Sequence, residues 1–282
     1  MTEKMIVVDL DGTLMNERNQ ITKETIDILQ TAAEAGTLIV PATGRCTALI
    51  PYELKAVGGI RYAIVANGAG IWDYKAKQFC YRQLMPEGII SMILDNMKQA
   101  EGYVEIFANG EAYVDINQMD NLSEDVYDRN FVKYYTQNHV FLTDLRNRND
   151  ILEQAEKVNL FYLSPEKKKK LERLIREDGR CAITSSISGN MEIQNKKVNK
   201  GSTLKILCGM QNIAPEEVIA FGDSDNDFEM LQFAGTGVAM GNACLRIRQV
   251  ADDIALTNEE NGVAAYLREK LQKQLVKFFI KN

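Results

Sequence analysis

The chain has 282 residues, 45% hydrophobic and 26% charged, ordinary globular values that exclude a disordered, collagen-like or coiled-coil chain. Lysine and arginine number 33 against 39 aspartates and glutamates, a net charge of −6. With a pI near 5.1 the chain lacks the basic footprint of a nucleic-acid binder, and its length predicts about two domains.

The first predicted element is the apolar run Met5 to Val8, which stops abruptly at Asp9 and reads as a buried parallel strand. Thr22 is placed to cap a helix over Lys23 to Ala35, with Glu24 in its first turn and Gly36 as its stop. Strands follow at Thr37 to Val40 and Tyr62 to Ala66, separated by the polar turn Thr43-Gly44-Arg45 and a helical stretch. Strand and helix alternate, as in an α/β fold with a parallel sheet.

The middle of the chain has a different character. A helical stretch follows Pro86, and Asn109-Gly110 between two alternating runs predicts a tight hairpin. Residues Met119 to His139 are polar and aromatic with a helical pattern. Val158 to Leu163 reads as a strand, Pro165 to Glu177 as a helix, and Cys181 to Ile187 as a strand. Gly189-Asn190 then predicts a turn into a strand over Met191 to Gln194. Alternation returns after Lys200, with strands at Val218 to Phe221, Thr236 to Met240 and Ile254 to Leu256, and a terminal helix over Gly262 to Phe279 whose apolar end predicts docking. The fold class expected is α/β, a Rossmann-like parallel-sheet core with helices on both faces and an inserted α+β cap domain.

Several chemistries are excluded. A single histidine, His139, rules out a Ser-His-Asp triad, a histidine phosphatase or a His-rich zinc site unless it acts alone. No cysteine has an arginine six residues on, and no Gly-Lys dipeptide exists to build a phosphate-binding loop of the nucleoside triphosphatases. Five scattered cysteines, none in a Cys-x-x-Cys pair, speak for a reducing cytoplasm. Asp9 interrupts the start before an apolar stretch long enough for a signal peptide, and no run approaches the ~18 apolar residues of a membrane span. A cytoplasmic protein with no membrane or nucleic-acid partner, monomeric or weakly self-associating, is expected.

Two acidic clusters remain, Asp9-Leu10-Asp11-Gly12-Thr13 and Gly222-Asp223-Ser224-Asp225-Asn226-Asp227, each directly after a predicted strand. Ligands of open α/β sheets bind outside the carboxyl ends of the strands, where Thr43 is also placed. Clustered carboxylates repel unless neutralised, and an oxygen-only set suits Mg²⁺, which keeps waters and takes a substrate phosphate. Lys200, in Asn199-Lys200-Gly201-Ser202 at a predicted helix start, supplies a cation for a phosphoryl group. One such cluster alone would read equally well as an ordinary turn or cap. A calcium loop over Asp223 to Asp227 fails, because Phe228 stands where its glycine is needed.

DLDGTL (Asp9 to Leu14), ATGR (Ala42 to Arg45), NKG (Asn199 to Gly201) and GDSDND (Gly222 to Asp227), in that order, resemble the haloacid dehalogenase superfamily. ANGA (Ala66 to Ala69), GVAMGNA (Gly237 to Ala243) and NGVA (Asn261 to Ala264) add to the likeness, specifically to the Cof-type phosphatases with a large cap of the C2B type between the second and third motifs. Ser224 stands where that family more often has glycine.

The resemblance implies Asp9 as nucleophile, forming an aspartyl-phosphate, and Asp11 as the acid and then the base. It implies that Thr43 and Gly44 bind the phosphoryl oxygens, that Lys200 neutralises them, and that Asn226 reaches the phosphate or substrate. Mg²⁺ would be held by Asp9, the Asp11 main-chain carbonyl and Asp223, with Asp227 supporting Lys200 and the metal shell. Asp225 reads as a solvated helix residue. The core is expected over 1–82 and 193–282 and the cap over 83–192. The function implied is hydrolysis of small phosphorylated metabolites, sugar phosphates or similar phosphate monoesters. A phosphomutase on the same scaffold and a receiver-like phosphoacceptor are the alternatives.

Overall fold

The computed structural model describes residues 3–97, 102–117, 136–161, 163–184 and 190–281. Its contacts divide the chain into two compact units, Met1–Gly44 with Ile50–Tyr81 and Asn199–Asn282, and Arg45–Leu49 with Arg82–Val198. The strands of the first half are β1 (Met5–Val8), β2 (Leu38–Pro41), β3 (Tyr62–Val65), β4 (Gly70–Asp73) and β5 (Gln78–Arg82). The middle holds β6 (Tyr103–Ala108), β7 (Glu111–Asp115), β8 (Val140–Leu142), β9 (Ala155–Phe161), β10 (Cys181–Thr184) and β11 (Met191–Asn195). The last part holds β12 (Val218–Gly222), β13 (Thr236–Ala239) and β14 (Asp253–Ile254).

In the first unit β14-β13-β12-β1-β2 form a parallel sheet in that order. Every residue of β1 and β12 is buried, which is why these strands are continuous apolar runs rather than alternating ones. The chain order reverses between β1 and β12, and a doubly wound sheet opens its ligand crevice at that switch point. Asp9 and Asp223 are the residues that leave those two strands. The α/β core with its added cap sheet is the fold class expected from the motifs.

The third strand differs from expectation. One bridge, Ala42 to Ile64, sets β3 beside the parallel sheet, but β3 then pairs antiparallel with β4 in the three-stranded sheet β3-β4-β5. Only Ala66–Gly68 and Ala69 separate β3 from β4, too few residues for the crossover a parallel partner needs. Strands β4, β5 and β8 are not among those read from the sequence, because short amphipathic runs have no distinctive period.

Within the second unit β10-β11-β9-β6-β7-β8 form a sheet, antiparallel except for β7 beside β8. The hairpin between β6 and β7 turns at Asn109 and Gly110, with φ of 54° and 83°, the left-handed pair a two-residue primed turn requires. Ile89, Ile93, Leu171 and Ile175, from the helices Ile89–Asn96 and Pro165–Asp178, pack with Val104, Ile106, Val158, Leu160, Met191 and Ile193 of the sheet in one core. Strand β9 starts at Ala155 rather than Val158 because Glu156 and Lys157 are buried strand residues, masking the alternation. Most of the segment Met119 to His139, the Gly189 turn residue, and the side chains of the terminal apolar run at Leu275–Ile280 lie outside the described residues. His139 is buried and pairs with Glu105.

Helix Lys23–Glu34 begins as predicted, with the Thr22 hydroxyl accepting the Thr25 amide. The same hydroxyl donates to Asn261 Oδ1 at 2.7 Å, and Asn261 Nδ2 donates to Glu24. One cap thereby ties the first helix to the start of the terminal helix Gly262–Lys281. Thr22→Ala should lower the stability of the protein by about 0.5–2 kcal/mol with Thr22→Ser near the parent. Urea unfolding checks this, and equal loss in both variants would show that the hydroxyl is not what matters.

Candidate active site

Three carboxylates converge where the core sheet changes direction. Asp9, Asp223 and Asp227 each offer an oxygen, all within 4.8 Å of one another. Asp9 leaves β1 and is buried; its amide donates to the Phe221 carbonyl of β12 at 3.1 Å, fixing it between the two strands. Gly12 then turns the chain at φ 81°, and a Cβ there would lie 2.6 Å from Asp223 Oδ2. Glycine at this place is a steric requirement of the carboxylate that follows β12.

Lys200 is the first residue of helix Lys200–Gln211. Its helix start is set by Asn199, which accepts the Ser202 amide while the Ser202 hydroxyl pairs with the Asn199 amide. The fully buried ammonium donates to Asp9 Oδ1 at 2.6 Å and Asp227 Oδ1 at 2.7 Å. Burial alone would depress its pKa, but the Asp227 and Asp9 charges outweigh that and hold it above the ordinary lysine range. Asp227 Oδ2 accepts the Asp223 and Ser224 amides at 3.0 and 3.1 Å. Both Asp227 oxygens thus have protein donors, which makes it a brace for Lys200 and for the turn.

Asp223 accepts hydroxyl hydrogen bonds from Thr13 at 2.8 Å and Ser224 at 2.9 Å. Neither donor was singled out for a role in the sequence; Ser224, the departure from the family's glycine, contributes a hydroxyl to the site. Asp11 is exposed, and its charge reaches Asp9. Thr43 is fully buried just after β2, with its amide on the Ile64 carbonyl and its carbonyl on the Asn67 amide. Gly44 follows it at the end of the same segment of the first unit. Asn226 donates to Asn67 Oδ1 at 3.1 Å, a partner whose ANGA motif is visible in the sequence but carries no assigned role there. Asp225 is exposed, with Arg246 3.4 Å away.

The donor set fits a divalent cation. Three clustered carboxylates and one ammonium leave two negative charges, all ligand atoms are hard oxygens, and Mg²⁺ favours a few carboxylates plus waters. Asp9 and Asp223 could hold such an ion, since Asp227 is already committed to Lys200 and two amides.

The sequence pattern of the haloacid dehalogenase-like hydrolases matches residues 6–267. The chain belongs to that family. Among its relatives, phosphatase YwpJ of Bacillus subtilis is 30% identical, the match covering 95% of this chain and 100% of that protein. A second B. subtilis protein, the 5-amino-6-(5-phospho-D-ribitylamino)uracil phosphatase YcsE, is 29% identical, with 94% of each chain covered. The crystal structure of a haloacid dehalogenase-like hydrolase from Bacteroides thetaiotaomicron superposes with a TM-score of 0.80 at 28% identity, covering 95% of this chain and 99% of that one. This haloacid dehalogenase-like hydrolase is a Cof-type phosphatase.

The electrostatics of the phosphatase make its apo stability depend on pH. Burial, then the Asp227 charge, holds the Asp9 carboxyl well above its ordinary value, Lys200 opposing and Asp223 adding. A carboxyl that holds its proton more tightly folded than unfolded favours the fold below its unfolded value near 3.8, and that contribution is lost as pH rises through the raised folded value. Metal-free Asp9→Asn protein should therefore melt higher than the parent at neutral pH, the gap shrinking as pH falls toward the unfolded carboxyl value. Thermal unfolding in EDTA across that range checks it, and a variant no more stable at neutral pH would contradict it.

Proposed function

We propose that this phosphatase is Mg²⁺-dependent and hydrolyses small phosphorylated metabolites, sugar phosphates or similar organic phosphate monoesters, through an aspartyl-phosphate on Asp9. The observation that carries the reading is the buried Lys200 between Asp9 and Asp227 with Asp223 alongside. Such a set is two positive charges short of neutrality, which one divalent ion supplies. YcsE carries the name of a phosphatase of a phosphorylated ribityl compound, which supports a polyol or sugar phosphate here.

Asp9 attacks phosphorus as the bond to the leaving oxygen breaks, and Asp11 gives that oxygen its proton. Water then attacks the phosphorus, Asp11 takes the water's proton, the bond to Asp9 breaks, and inorganic phosphate leaves. The exposure of Asp11 suits a group that must exchange protons. Lys200 holds Asp9 in place and offsets phosphoryl charge, while Thr43 and Gly44 hydrogen-bond the phosphoryl oxygens. Bound by Asp9, the Asp11 carbonyl and Asp223, Mg²⁺ would supply further charge neutralisation for the phosphoryl group. The unit of Arg82–Val198 with Arg45–Leu49 serves as the cap that reads the leaving group, and the other unit as the core.

Phosphate release from a panel of phosphorylated sugars, nucleotides and cofactors should require Mg²⁺ and be inhibited by excess Ca²⁺, whose longer bonds and larger coordination number misplace the ligands. Full activity after dialysis into EDTA would overturn the metal assignment. A requirement for a bisphosphate activator, with phosphate returned to the sugar, would make the enzyme a mutase instead.

Asp11→Asn should cost about 10²–10⁴ in rate on a sugar phosphate. A nitrophenolate leaves with little protonation, so phosphorylation of Asp9 should survive better than hydrolysis does. The variant should release a burst near one equivalent of nitrophenol and carry a phosphoryl group by intact mass, lost on adding Asp9→Asn. Equal proportional losses on both substrates, with no phosphoprotein, would remove this role from Asp11.

A further inference from the structure

The GVAMGNA motif, Gly237 to Ala243, has no part in the reaction scheme. It runs from β13 into the loop that follows, and that loop touches both acidic turns. The Cys244 amide, just past the motif, donates to the Asp223 carbonyl at 3.0 Å. Asn242 Nδ2 donates at 2.8 Å to the carbonyl of Gly12, the residue after Asp11 and 230 positions away in the chain. Gly241 lets the loop lie against the segment before the terminal helix. Its amide donates to the Leu256 carbonyl at 3.1 Å, and a Cβ there would lie 2.8 Å from the Thr257 amide nitrogen.

The Asn242 amide has one possible orientation. Its Oδ1 accepts the Asn258 main-chain N–H at 3.1 Å, while its Nδ2 faces a main-chain carbonyl. Main-chain groups cannot exchange donor and acceptor roles, so turning the amide over would break both bonds. Asn258 in turn donates from its own Nδ2 to the Met15 carbonyl at 2.9 Å. Asn242 is thereby a strut between the turn Asn258–Glu260 and the loop that leaves β1.

The loop from Asp11 to Met15 is well fixed at its ends. The Thr13, Leu14 and Met15 amides all donate to the Leu10 carbonyl, at 3.3, 3.0 and 2.9 Å, and Asp11 forms a β-bridge with Met15. Its weak point is Gly12, at φ 81°, where a Cβ would lie only 2.6 Å from Asp223 Oδ2. Glycine has more backbone freedom than any other residue. The glycine that makes room for Asp223 therefore also loosens the peptide beside Asp11. A bond to the Gly12 carbonyl removes that freedom from outside the loop. We infer that Asn242 is a positioning residue for Asp11: by holding the Gly12 carbonyl it sets the backbone from which the acid reaches the leaving-group oxygen. This deepens the proposed function and rests on the acid-then-base role given there to Asp11.

The experiment places Asn242→Ala in the parent and in Asp11→Asn protein. At saturating Mg²⁺, kcat/KM is measured on a sugar phosphate and on nitrophenyl phosphate. For nitrophenyl phosphate that ratio covers the steps up to nitrophenolate release, which needs little protonation, so it reads the Asp9 attack without the acid. Small misplacement of a reacting group costs up to about 10²-fold, so Asn242→Ala should lose about tenfold on the sugar phosphate and less than about twofold on nitrophenyl phosphate. In Asp11→Asn protein the same substitution should cost nothing further on the sugar phosphate, because Asn242 acts through Asp11. Asn242 is exposed, and its loss should spare the fold. Should the alanine protein misfold, Asn242→Asp keeps the acceptor for the Asn258 amide, sets an oxygen against the Gly12 carbonyl and should show the same split. Equal proportional losses on the two substrates would assign Asn242 to the metal or phosphoryl contacts and overturn the inference. An undiminished cost in Asp11→Asn protein, or no loss in either variant, would overturn it as well. If Asp11→Asn alone lost equally on both substrates, or the parent released no phosphate, the reading beneath the inference would fall with it, so the two failures are distinct.

Discussion

The ammonium of Lys200 between Asp9 and Asp227 is the interaction on which the site depends. Side-chain exposure is 0% for the lysine and for Asp227 and 6% for Asp9, so none of the three charges has bulk water to stabilise it. A buried charge is tolerable only when paired and hydrogen-bonded, and each group here answers that condition for another. Asp227 also accepts two backbone amides, which locks the turn after β12. Removing the Lys200 ammonium would leave two buried carboxylates without their shared counter-charge.

That cluster exists because of sheet topology. β1 lies between β12 and β2, and the reversal of chain order leaves the carboxyl ends of β1 and β12 free of crossing connections. Asp9 and Asp223 are therefore neighbours in space although 214 positions apart in the chain (223 − 9). Gly12 keeps the loop after β1 clear of Asp223. The fold and the charge balance are one design: strands too apolar to carry function deliver polar residues at their ends.

Much of this was legible. DLDGTL, ATGR, NKG and GDSDND announce themselves as polar breaks after apolar runs, and their order identifies the family. The hairpin at Asn109-Gly110 and the Thr22 cap were equally plain, because each depends on local backbone chemistry. Strand β9 is legible only from its fourth residue, since Glu156 and Lys157 look exposed until their tertiary partners, Arg82 and Glu192, are known. Strands β4, β5 and β8 have no legible period in the sequence, and ANGA carries no role there.

By itself the sequence determined the α/β class, the identity of the acidic and basic side chains, and the chemistry they are capable of. Local propensity and hydrophobic patterning act over a few residues, and the motifs are only a few residues long. The tertiary structure alone decided which oxygens Lys200 takes, that Thr13 and Ser224 brace Asp223, and that Asn226 meets Asn67. Those outcomes hang on hydrogen bonds between segments separated by as many as 210 positions, and no local rule orients a side chain toward a partner that only the folded sheet brings near.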